Sequence, residues 1–107
     1  MSSILRRQIL RKCNSMDVSM IGFAAARRWD EPPVASWVPE AFRPASILPG
    51  TRSVIVLGLP VSLPVVDTAP SIWYYELYRT INTGLDALGY RLSTFLSEKG
   101  YPSAWVS

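Results

Sequence analysis

The most informative feature of this 107-residue chain is what it lacks, because it has no histidine and a single cysteine, Cys13. Without histidine there is no Ser–His or Cys–His nucleophilic pair, no histidine base near neutral pH and no imidazole ligand for a metal. One cysteine excludes an intrachain disulfide, and it excludes a thiolate set for zinc or an iron–sulfur cluster, each of which takes about three or four ligands. What remains is carboxylate, tyrosine or arginine chemistry, or a role as one part of a larger protein, and we assign no catalytic residue and no metal ligand to this sequence.

Charge is also scarce, since 18% of the residues are charged while 49% are hydrophobic, which gives a mean hydropathy of +0.15. A free monomer of this size normally has a more charged surface. We therefore expect apolar surface to be covered by protein, either a partner chain or a second copy in a homo-oligomer. Gly58 and Pro60 interrupt the longest apolar run, and no signal pattern opens the chain, so the sequence predicts a cytoplasmic protein without a membrane span.

Hydrophobic periodicity predicts two helices and two strands. Apolar residues four apart favour an amphipathic helix over 3–14, and those three or four apart favour a long helix over 72–99, which Gly100 ends. Two apolar runs, 18–26 and 53–61, predict buried strands. Residues 27–52 hold five prolines, and we expect them to form a long ordered loop, anchored on the sheet by Trp29, Trp37, Phe42, Ile47 and Leu48. A second loop is expected over 63–70, with Ser71 or Thr68 as the cap of the long helix.

The order of these elements predicts an α/β fold. The strand SVIVLGLPV, the long helix and the apolar residues Ala104 to Val106 follow one another as in a βαβ crossover, whose two strands pair in parallel. We expect an incomplete three-layer domain with an N-terminal helix, parallel strands and one crossover helix. Because the last apolar segment has only just begun at the end of the sequence, residues 1–107 are expected to be a single α/β module, the N-terminal part of a longer or split protein.

The aromatic residues at the start of the long helix form the strongest candidate site. In parallel α/β sheets, ligands bind beyond the carboxyl ends of the strands, where helices begin. Tyr74 and Tyr78 are four residues apart and share a helix face, with Asn82 one turn further. Their hydroxyl and amide groups suit a planar ligand, and we predict that they bind a cofactor. The alternative is that the aromatic rings wedge the helix against the sheet and the long loop.

Three segments resemble the N-terminal region of epoxyqueuosine reductase-like iron–sulfur proteins: IGFAAARRWDEPP, FRPASILPGTRSVIVLGLPV and YYELYRTINTGLDALGYRLSTFLSEKGYP. The resemblance spans Met20 to Val106. It implies the first half of a redox α/β domain, followed on absent sequence by a ferredoxin segment with two 4Fe-4S clusters. The reductases proper also bind cobalamin and act on a transfer-RNA wobble base. YYELYRTIN stands where they carry an Asp–Tyr–His stretch, so no catalytic residue is transferred to this chain.

Three functions follow from these observations. The first is an N-terminal module of an epoxyqueuosine reductase-like oxidoreductase, inactive alone and completed by a ferredoxin segment or partner chain. Its residues 60–82 contribute to a cofactor or substrate pocket, which holds cobalamin or a flavin. The second is a noncatalytic assembly module that pairs with itself or with a partner chain through exposed apolar surface. The third is an RNA-binding module, with transfer RNA as a possible partner, that uses Arg6, Arg7, Arg11, Arg27 and Arg28.

Overall fold

The computed structural model describes residues 1–106 and combines helices with a two-stranded sheet. In chain order the elements are helix α1 (Ser3–Ser15), strand β1 (Met20–Ala25), helix α2 (Pro44–Ile47), strand β2 (Ser53–Gly58), helix α3 (Leu63–Val66) and helix α4 (Ile72–Glu98). Three 3-10 turns, at Ala26–Asp30, Val34–Ser36 and Glu40–Phe42, lie between β1 and α2. The mixed helix-and-strand class is confirmed, and both long helices match their predicted bounds to within one residue.

Local hydrogen bonds explain where α4 begins and ends. The Ser71 hydroxyl accepts a hydrogen bond from the Tyr74 N–H at 3.0 Å, which satisfies one of the unpaired donors of the first turn. At the other end Gly100 has a φ of 88°, and the Tyr101 N–H donates to the Leu96 carbonyl at 3.0 Å. This Schellman arrangement needs a residue that tolerates left-handed backbone, which is why the helix ends at Gly100.

The sheet shows that the prediction of parallel strands was wrong. β1 and β2 pair antiparallel, from Met20 opposite Gly58 to Ala25 opposite Ser53. A parallel pair needs a crossover, usually a helix packed over the sheet, whereas residues 27–52 form only short turns that return the chain beside β1. The predicted βαβ crossover is also absent from the described part of the chain, because residues 104–106 form no strand after α4.

One face of the sheet is covered and the other is open. Four sheet side chains and the two long helices form the covered side, with a buried core of Ile9, Cys13, Met16, Val18, Leu92 and Leu96. The register places Met20, Gly22 and Ala24 of β1 on the opposite face, across from Gly58, Val56 and Val54 of β2. This outer face is open at Met20, Gly22 and Val56, and Val56 is 55% exposed. It is half-buried at Ala24 and Val54, where the segment that follows β1 lies against Ala24. The expected three layers are therefore two, and β2 is buried on one side only.

Arg43 holds the proline-rich segment 27–52 together. Its guanidinium donates from Nε to the Val38 carbonyl at 3.2 Å and from Nη2 to the Ala35 carbonyl at 2.9 Å. Its Nη1 lies 3.8 Å from Asp30 Oδ1. One side chain thereby links the first and second 3-10 turns to the residue that precedes α2.

The apolar anchors predicted for this segment are only partly in place. Trp37, Phe42 and Ile47 are exposed, whereas Trp29 and Leu48 are half-buried. The hydrogen bonds from Arg43 to the Ala35 and Val38 carbonyls hold the segment together where the exposed side chains do not.

The accessible surface of the molecule is larger than that of a typical folded monomer of the same mass. Its accessible surface is 7827 Å², whereas a folded monomer of 11.9 kDa exposes about 6,000 Å². Its radius of gyration is 15.7 Å, against about 13 Å for a compact domain of this length. The elements show the cause: the 27 residues of α4 extend for about 40 Å, while strands of six residues span about 20 Å. The first half of α4 therefore extends past the sheet.

Candidate functional site: an open aromatic groove

The predicted site residues Tyr74, Tyr78 and Asn82 lie together along one groove. The groove has a volume of about 170 Å³ and lies between the first half of α4 and the connection that contains α3. The helical repeat places the three side chains on one face, as the spacing predicted. The other lining residues are all apolar and lie within the segment 60–82, although the sequence did not single them out as lining: Val61, Val66, Leu77 and Ile81.

A short polar link holds the two sides of this groove together. The Thr68 hydroxyl lies 2.6 Å from the carbonyl of Val65, in α3, and 2.6 Å from the hydroxyl of Ser71, which caps α4. The end of α3 is thus fixed to the start of α4. The prediction of Ser71 or Thr68 as the cap of the long helix is confirmed for Ser71. The short helix α3 within the predicted loop and the contact between Thr68 and Ser71 were not predicted.

The polar groups at the groove lie at its rim. Asn82 Nδ2 donates to the Tyr78 carbonyl at 2.8 Å, which leaves the Asn82 side-chain oxygen as an acceptor. Tyr78 is 61% exposed and Tyr74 is 38% exposed. The residues that line the groove include no charged side chain. The groove is therefore suited to hold a flat, largely apolar ring and to bond its edge, rather than to move protons.

The rest of the aromatic cluster faces solvent. Ile72 is 76% exposed, Trp73 is 71% exposed, and Tyr75 is also largely exposed. Arg79 lies 5.7 Å from the centre of the Tyr75 ring, an exposed contact that contributes little to stability. Most of these rings do not wedge α4 against the sheet, which was the alternative. They add to an apolar surface around the groove.

A second, larger cavity lies beside β1 and was not predicted. Its volume is about 530 Å³, and it is lined by Ala24, Arg28, Trp29, Glu31, Pro32, Pro33 and Val34. The only signal in the sequence was a tryptophan followed closely by two prolines, a combination that makes a rigid apolar wall.

The cysteine and the arginines that the sequence singled out lie outside the groove. Cys13 is fully buried, and burial raises the pKa of its thiol, so it packs as a small apolar residue. The Arg6 guanidinium lies 4.7 Å from the centre of the Phe23 ring, and Arg28 lines the larger cavity. Within residues 1–106, no three His, Cys, Asp or Glu side chains are placed to share a metal ion. Over the same residues, no helix combines the length and hydropathy that a membrane crossing requires.

Fold and site together define a two-layer α/β module with one open sheet face and one open apolar groove. No protein-family model, curated protein or solved structure matches this sequence. The resemblance to epoxyqueuosine reductase-like proteins therefore stays a prediction that rests on the quoted segments.

Proposed function

We propose that this chain is an α/β module of an epoxyqueuosine reductase-like iron–sulfur oxidoreductase of the cytoplasm, and that it supplies one wall of a cofactor or substrate pocket. The groove at the start of α4 carries the proposal, because it gathers Tyr74, Tyr78 and Asn82 over an uncharged apolar lining. Such a lining fits one side of the flat ring of cobalamin or a flavin, and the polar groups at the rim suit the ring's edge.

The large accessible surface of the chain supports the part of the proposal in which another polypeptide covers it. The surface exceeds that of a compact monomer by roughly 1,900 Å², more than the ~800 Å² that each partner gives to an interface of standard size. In this proposal the covering polypeptide carries the 4Fe-4S clusters and closes the groove. The bound cofactor supplies the redox chemistry, while Tyr74 and Tyr78 orient its ring and the apolar lining excludes water from one side.

The reading frame next to this sequence in the genome tests the assignment first. Two runs of the form CxxCxxCxxxCP in that reading frame would support the proposal, and their absence from it would refute the proposal.

Binding by the chain itself tests the groove. Hydroxocobalamin and flavin mononucleotide are titrated with the protein, and Tyr78→Ala is expected to weaken the binding of whichever probe binds by about tenfold, since aromatic stacking contributes about 1 kcal/mol or more. Tyr75→Ala is the matched control, because Tyr75 is exposed on the same helix and does not line the groove. Equal losses in the two variants, or no binding of either probe, would remove the groove as the site.

The same surface favours a second candidate, a noncatalytic assembly module that pairs through its apolar surface. Ile72 and Trp73, both largely exposed, are the kind of residues that interfaces bury. Size-exclusion chromatography with light scattering separates the two functions. A stable oligomer that binds neither probe supports the assembly module, whereas a monomer that binds one of them argues against it.

A further inference from the structure

The outer edge of β1 is open and unprotected. Within residues 1–106, β1 pairs with β2 alone. Every second residue of β1 therefore directs its backbone N–H and C=O away from β2, and these groups have no strand partner. Its sequence, MIGFAA, contains neither a charge nor a proline, the features with which edge strands usually avoid pairing. Sheets of two strands also gain stability when a third strand is added. The edge is thus suited to accept another strand.

Gly22, in the middle of β1, points to close approach by another backbone. Its φ lies outside the left-handed region, and a Cβ added there would meet only the Val56 Cβ, at an ordinary 3.9 Å. The packing of this chain therefore does not require glycine at this position. A glycine weakens a strand interior and often marks a place where a second chain or ligand comes near.

The larger cavity continues this edge. It is lined by Ala24 of β1 and by the segment that follows β1, and β2 contributes none of its lining residues. The register places the Ala24 side chain on the outer face of the sheet, so the cavity lies over that face at the Ala24 end of β1, beside its free edge. Trp29, Pro33 and Val34 give it apolar walls, and its volume of about 530 Å³ accommodates a large apolar side chain.

Positive charge gathers at this end of the strand. Arg27 and Arg28 follow β1 directly, and the Arg52 carbonyl accepts a hydrogen bond from the Ala26 N–H at 2.9 Å, which places Arg52 beside them. Among the described residues, none of these three arginines forms a salt bridge, and Asp30 is already paired with Arg43. Glu31 lines the cavity beside Arg28 and, over the same residues, forms no salt bridge either, so three arginines stand against one unpaired carboxylate at this end. A partner that carries a carboxylate complements the remaining positive charge.

We propose that the free edge of β1 and the adjoining cavity bind an extended segment of another polypeptide as a third strand. The backbone of that segment pairs with β1 over Gly22. One of its apolar side chains enters the cavity beside Trp29, and a carboxylate at the same end lies against Arg28. This site shares no lining residue with the groove at α4, so the experiments below test it independently of the proposed function.

Two labelled eight-residue peptides test the site by fluorescence anisotropy with the full chain. Both alternate threonine with valine or isoleucine, and one carries Glu-Asp at its N-terminus while the other carries it at its C-terminus. We expect one of the two to bind, because the cavity and Arg28 lie at one end of β1. Replacing its acidic pair by lysines should weaken binding at least tenfold, and methylating the backbone nitrogens along one edge should do the same.

Protein variants locate the contact. Arg28→Glu should weaken binding of the acidic peptide about tenfold, and Arg91→Glu, which reverses an exposed charge on α4 outside the cavity and outside this group of arginines, should change it less than twofold. Light scattering is run on the same samples. Failure of both peptides to bind, equal binding of the N-methylated peptide or equal loss in the two variants would overturn the proposal. A dimer of the chain that the peptide does not dissociate would assign the edge to a second copy and would also overturn it.

Discussion

Two glycines inside α4 offer a matched test of how the last residues of the chain pack. Replacing a helix-interior glycine by alanine stabilises a helix by about 1 kcal/mol when the new methyl group has room. At Gly84 the added Cβ would meet only the flexible Leu59 Cδ1, at 3.4 Å. Gly84→Ala is therefore expected to raise the free energy of unfolding by about 1 kcal/mol and the melting temperature by about 4 °C.

The same substitution at Gly89 meets a different neighbour. Its Cβ would lie 3.0 Å from the Trp105 Cβ and 3.2 Å from Cγ, so the indole must move. Trp105 packs edge-on against Tyr90 with ring centres 5.4 Å apart, an arrangement that contributes about 1 kcal/mol. Loss of that contact offsets the helix gain, and Gly89→Ala should leave the stability near that of the unmodified protein.

Urea unfolding followed by far-UV circular dichroism measures both variants, with tryptophan fluorescence as a second signal. We expect a changed emission spectrum for Gly89→Ala and an unchanged one for Gly84→Ala. If the two variants are stabilised equally and neither spectrum changes, Trp105 does not pack on Gly89 and the reasoning is refuted.

Three further predictions concern the core and the proline-rich segment. Ile9→Val should lower the free energy of unfolding by about 1 kcal/mol in urea melts. Ile4→Val, on the exposed face of the same helix, should change it by less than half as much. Equal losses in the two variants would contradict the burial of Ile9. Burial raises the pKa of the Cys13 thiol above its ordinary value of 9.0, so above about pH 9 the unfolded chain releases a proton that the folded chain retains. Stability should therefore fall there as pH rises, and urea melts of Cys13→Ala should show a shallower fall; an identical slope would show that this thiol does not contribute. Arg43→Met removes two hydrogen bonds to backbone carbonyls and should speed proteolytic cleavage within 27–52 by tenfold or more. Arg91→Met, which changes an exposed arginine on α4, is the control. Equal cleavage rates in the two variants would show that Arg43 does not hold the proline-rich segment together.

Part of the candidate site was predictable because it depends on a single helix. Tyr74 and Tyr78 are one helical turn apart, so the sequence was enough to place them on one face. The other side of the groove was not predictable, because Val61 and Val66 reach it through the turn that Thr68 and Ser71 stabilise. The cavity beside β1 was missed for the same reason, since it depends on how the segment after Trp29 folds back.

The sequence also did not predict how much of the apolar face of α4 is buried. Its apolar repeat from Tyr74 to Phe95 predicts one continuous buried face, yet the buried core residues of this helix, Leu92 and Leu96, lie in its second half. The repeat records which side of the helix is apolar, but the length of the strands beside it decides how much of that side is covered.

The sequence by itself determined the elements whose causes are local: two helices with their caps, two apolar strands and the turn at Gly100. It also determined that the chain carries no histidine and one cysteine. Only the tertiary structure decided the strand direction, the number of layers and the open outer face. The physical reason is that an apolar strand such as SVIVLG satisfies either pairing direction, and the choice depends on the long connection that returns the chain, here a series of short turns held by Arg43.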